Sequence, residues 1–117
     1  MTDKIFSIDE IRLVLESARN AGIKYIAEDN TTRATDDQDC YPRSIHITVD
    51  KLSPIWPLLK LLEKEYPWLK VDRRGRTLYI NSSVEIPFRL QELGYKQTVV
   101  NVLNESGISC YLDVGWR

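Results

Sequence analysis

His46 is the only histidine in the chain, which makes it the first place to look for chemistry. A nucleophile–base pair needs the imidazole within hydrogen-bond reach of a serine or cysteine. Cys40 is the nearer thiol in the sequence, but nothing else around it marks a nucleophile. Zinc would need ligands at C-x₂₋₄-C or H-x₃₋₅-H spacing. The two cysteines, Cys40 and Cys110, and the lone histidine offer neither. Asp36-Asp37-Gln38-Asp39 opens like a calcium loop, but lacks the central glycine and the bidentate glutamate that such a loop requires. The five glycines (Gly22, Gly75, Gly94, Gly107 and Gly115) form no phosphate-cradling motif. The expectation is therefore no catalytic site, no metal and no cofactor, and a chain that works by binding.

Two local charge clusters bear on what it binds. Lys70, Arg73, Arg74 and Arg76 gather cations within seven residues. Glu28, Asp29, Asp36, Asp37 and Asp39 form an acidic stretch in which Arg33 is the only cation. Such a stretch binds a basic partner or a metal, or stays solvated, and solvation is the default for a polar loop.

The elements that would position these residues can be read from capping and periodicity. Ser7 and Glu10 have the spacing of a capping box, and Ile8, Ile11, Val14, Leu15 and Ala18 then share one helical face. Gly22 fits a helix stop, which makes Ile23–Ala27 a strand candidate and residues 28–43 a long polar loop. Ile45, Ile47 and Val49 alternate along a strand over 44–49. Ser53-Pro54 opens a second helix whose Ile55, Leu58, Leu59, Leu62 and Tyr66 align, ended by Pro67. Strands over 68–72 and 76–80 follow, joined through Arg73-Arg74-Gly75, with Gly75 expected to supply the positive φ of the turn. Ser82-Ser83 opens a third helix stopped at Gly94, then strands over 97–103 and 108–114 turned at Asn104-Glu105-Ser106-Gly107.

The expected architecture is thus a single α+β domain over 1–117. Three αββ units (7–50, 53–81 and 83–114) build a mostly antiparallel sheet of about six short strands, with three helices on one face. The matching Ser53/Pro57 and Ser83/Pro87 raise an internal duplication as one reading, and chance similarity of two capped helices as the other.

Strand parity then sorts the open face. It assigns Trp68, Lys70, Tyr79, Tyr111 and His46 outward, with Arg73, Arg74 and Arg76 at the adjoining hairpin tip. Aromatics with polar ends and arginines are the residues binding surfaces favour, although aromatics on a solvated sheet also stabilise their neighbours with no partner present. Leu13, Trp56 and Trp116 stand apart as apolar residues outside the core pattern, Trp56 on the polar side of the second helix.

Composition bounds the rest. The 117 residues carry 16 Lys or Arg and 17 Asp or Glu, a net charge of −1, and 43% are apolar. Those values match ordinary globular domains and exclude disorder and strongly basic nucleic-acid binders. No apolar run approaches a membrane span or a secretory leader, so a reducing cytoplasm with free thiols is expected. The expected function is a small non-catalytic binding protein (an inhibitor, an immunity-type protein, an adaptor or a phage or mobile-element accessory protein), its partner another protein or a second copy. The alternative is a nucleic-acid-binding module using the same face and the basic hairpin.

Overall fold

The computed structural model describes residues 6–28, 42–82, 86 and 89–116. Helix α1 spans Ile8–Glu28. Ser7 caps it as the spacing predicts: the Glu10 N–H donates to Ser7 Oγ at 3.2 Å, and the Ser7 N–H donates to Glu10 Oε1 at 3.1 Å. Strand β1 is Pro42–Val49, helix α2 is Trp56–Glu63, and strands β2 and β3 are Leu69–Asp72 and Thr77–Ile80. Helix α3 is Arg89–Glu105 and strand β4 is Cys110–Trp116.

Among the described residues the fold is α+β with three helices, but the sheet has four strands rather than six, ordered β2-β3-β1-β4 with every pair antiparallel. The expected strands over 23–27 and 97–103 are both helix, so a threefold αββ order does not form. The reason lies in two glycines that stop nothing. Gly22 lies inside α1, where a Cβ would come within 2.5 Å of Tyr95 Cε2, and Gly94 lies inside α3, where a Cβ would run into the Tyr25 phenol. Each helix offers a glycine and receives the other's tyrosine, so the glycines set a close α1–α3 contact instead of a C-cap. Val99, Val100, Val102 and Leu103, which would fall on both faces of a strand over 97–103, resolve on a helix. Tyr95, Val99 and Leu103 recur every fourth residue and are all buried.

Helices α2 and α3 cover one face of the sheet, α2 over β2 and α3 over β1 and β4, and α1 lies against α3 and α2. The core between these layers gathers Ile11, Leu15, Ile47, Val49, Leu59, Leu62, Leu69, Leu78, Val99 and Leu103. Ile55 and Leu59 bury the face of α2 predicted for them, while Leu58 and Tyr66 are half-buried beside it. Trp56 corrects an expectation. It is fully buried, and its indole Nε1–H donates to the Asp50 carbonyl at 2.7 Å. Helix α2 begins only at residue 56, so Trp56 belongs to the entering turn and not to the helix's outer face. Among the described residues no helix is long and apolar enough to cross a membrane.

Candidate interaction face of the sheet

Inward-facing Ile45, Ile47 and Val49 of β1 are buried, so Ser44, His46 and Thr48 occupy the opposite face by alternation. Lys70 and Asp72 of β2, Thr77 and Tyr79 of β3, and Tyr111 and Asp113 of β4 share it. The register arranges them in rows. Asp72 pairs with Thr77, Thr77 with Thr48, and Thr48 with Tyr111. In the next row Lys70 pairs with Tyr79 on one side and His46 with Asp113 on the other.

The relief of this face follows from side-chain size. Thr48 and Thr77 are only 5% and 9% exposed although they lie on the side without helices. Longer neighbours rise around them, with Tyr79 38% and Tyr111 53% exposed. Two buried threonines thus lie beside two exposed tyrosines, with Lys70, Asp72, Asp113 and His46 on the same face supplying both signs of charge and a hydrogen-bonding imidazole. Neighbouring strands lie ~4.8 Å apart and alternate residues ~6.8 Å apart along a strand, so Tyr79 and Tyr111, two strands and one row apart, stand ~12 Å apart.

The basic hairpin adjoins one end. Arg73, Arg74 and Arg76 are exposed, and among the described residues none of them, nor Lys70, is in an ion pair. The positive φ of this turn belongs to Arg76, at 58°, and not to Gly75. The Arg76 N–H donates to the Arg73 carbonyl and the Gly75 N–H to Asp72 Oδ1, both at about 3 Å, so the turn places its left-handed residue one position later than expected.

Trp68 is the main correction to the expected site. Strand β2 starts at Leu69, so alternation does not reach residue 68. Its indole lies on the helix side, stacked on Tyr66 at 4.5 Å between ring centroids, with the Arg19 guanidinium 4.9 Å from its centroid. Around it runs a polar seam that sequence reasoning missed. The Tyr66 hydroxyl donates to Glu16 Oε1 at 2.8 Å, Arg19 Nε donates to the Asn81 carbonyl at 2.9 Å, and Arg12 forks onto Glu65 at 3.0 Å. Partial burial and the Glu16 carboxylate raise the Tyr66 phenol above its usual value, and the Glu65 bond raises the Arg12 guanidinium. The only sequence signal for this seam is the acid–base spacing on α1.

The remaining expected residues divide. Asp36, Asp37 and Asp39 lie outside the described residues, as do Cys40 and the side chain of Trp116, whose backbone pairs with Pro42. Leu13 is 64% exposed, as its place on α1 predicts. Cys110 is a buried free thiol raised to about 12 by that burial, which leaves it in the unreactive protonated form. Among the described residues no group of His, Cys, Asp and Glu is arranged to hold a metal ion. No protein-family model, no curated protein and no solved structure matches the chain.

Proposed function

We propose that the chain binds another protein through the helix-free face of its sheet, with Tyr79 and Tyr111 as anchors and Lys70, Asp72, His46 and Asp113 as the polar surround. The observation that carries this reading is the pair of exposed tyrosines beside two buried threonines. Exposed rigid aromatics give large contact area at little entropic cost, and mixed charges around them set specificity and not bulk attraction. Arg73, Arg74 and Arg76, in no ion pair among the described residues, extend the surface at one end. They also favour the second reading, in which the face and hairpin track a nucleic-acid backbone, a reading the net charge of −1 disfavours.

The test compares affinity capture from the native cell extract by the wild-type chain, by Tyr79→Ala/Tyr111→Ala and by Leu13→Ser on the far side of the molecule. Binding through the face predicts that partner proteins retained by the wild type and by Leu13→Ser are lost with the tyrosine pair. Retention by all three overturns it. A captured nucleic acid whose affinity falls steeply with salt, and falls further when Arg74 is replaced by Ala, selects the second reading.

A further inference from the structure

The two edges of the sheet are treated differently. Hydrogen bonding alternates along an antiparallel strand, so every second residue turns its N–H and C=O away from its neighbour. On β2 the outward donors are occupied within the chain: the Leu69 N–H donates to the Tyr66 carbonyl at 3.2 Å and the Val71 N–H to Glu63 Oε2 at 2.7 Å. On β1 the Val49 N–H donates towards β3, to the Arg76 carbonyl at 2.9 Å, so Thr48, His46 and Ser44 bond towards β4. Their partners Tyr111, Asp113 and Gly115 therefore bond inward, and Cys110, Leu112, Val114 and Trp116 present their backbone groups to the free edge.

Cys110 is closed off by Asn104, whose side chain accepts from its N–H and donates to its carbonyl, each at 3.1 Å. Beyond it the edge is open. Among the described residues nothing bonds to the outward groups of Leu112 and Val114, and the side chains of both are only half-buried at the margin of the helix layer. An edge of this kind is a template for another strand.

We propose that a second copy of this chain fills it, β4 against β4 in antiparallel array about a two-fold axis at Val114, joining both sheets into one. The register follows from what each residue offers. A two-fold axis at Asp113 would set two carboxylates directly opposite each other, which is unfavourable. An axis at Leu112 would spend pairing on Cys110, whose groups Asn104 already holds. The axis at Val114 pairs Val114 with its own copy and Leu112 with residue 116 of the other copy, each pair exchanging both backbone bonds. It sets Asp113 opposite Gly115 and brings the half-buried aliphatic margins together. The tyrosine faces of the two copies then form one continuous surface, but the dimer stands independently of what that surface binds.

Proline separates this proposal from other dimers. Replacing Val114 or Leu112 removes only an outward N–H, so the β1–β4 ladder stays whole. Light scattering is expected to give twice the 13.6 kDa chain mass for the wild type and a single chain mass for Val114→Pro and Leu112→Pro. Amide exchange of the wild type is expected to be slow at Leu112 and Val114 in concentrated solution and fast on dilution, while Tyr111 and Asp113 stay slow throughout. A wild-type mass of one chain through the micromolar range overturns the proposal. So does a dimer whose Leu112 and Val114 amides exchange freely, or a folded proline variant that still dimerises. The wild-type exchange experiment decides even where a proline variant fails to fold. The tyrosine variants of the sheet face are expected to keep the dimer mass, so failure of partner binding and failure of dimerisation read out separately.

Discussion

Gln91 is the residue most at odds with its surroundings. It occupies the first place in the α3 stripe continued by Tyr95, Val99 and Leu103, it is fully buried, and among the described residues neither its Oε1 nor its Nε2 has a hydrogen-bond partner. An amide withdrawn from water without replacement bonds costs on the order of 1–3 kcal/mol. Gln91→Met keeps the shape and removes the cost, so denaturant unfolding is expected to show a stabilisation of that order, and a loss of stability contradicts the account. Tyr95 and Cys110 make a second prediction. Burial raises both the Tyr95 phenol, which donates to the Ile80 carbonyl at 3.0 Å, and the Cys110 thiol to about 12. In the unfolded chain these groups titrate near their ordinary values, the thiol near 9 and the phenol near 10. The unfolded state thus binds fewer protons than the folded state once pH passes 9. Stability is full below that point and falls as pH rises towards 12, by at most about 1.4 kcal/mol per pH unit for each group. Cys110→Ala is expected to move the onset from near 9 to near 10 in pH-dependent unfolding. Unchanged stability between pH 8 and 11 contradicts it.

At the scale of elements, the lesson is how much a glycine can mean. The capping box at Ser7, the β2–β3 hairpin and the alternation in β1 were legible because each is settled by neighbours in sequence. The ends of α1 and α3 were not. Gly22 and Gly94 read as stops, yet their missing side chains serve Tyr95 and Tyr25 from the other helix, a partner that sequence order does not reveal. This gives a direct prediction. On propensity alone Gly94→Ala should strengthen a helix by about 1 kcal/mol. Here it forces the α1–α3 contact apart, and a net loss of about 1–3 kcal/mol is expected. The loss should shrink in a Tyr25→Leu background, where the clashing phenol is gone. Equal effects of Gly94→Ala in both backgrounds would show that the contact does not govern the helix.

For the whole molecule, layering decides what is available to bind. The three described helices stack on one side of the sheet, α1 outermost against α2 and α3, so among the described residues the opposite face is left to its own side chains. The outward places of Lys70, Tyr79, Tyr111 and His46 were readable, since strand parity survives any error in strand count. Trp68 was not, because the strand begins one residue after it and its ring turns to Tyr66 and Arg19. The closed β2 edge was equally hidden, being made by Glu63 from α2 and the Tyr66 carbonyl beyond it. The proposed binding of a partner protein to the sheet face opposite the described helices makes a spatial prediction. Hydrogen exchange of the chain alone and with its captured partner tests it most directly. Slowed exchange is expected only in the sheet, over 44–48, 70–72, 77–79 and 111–113, with α1 unchanged. Slowed exchange along α1 with the sheet unaffected would contradict it.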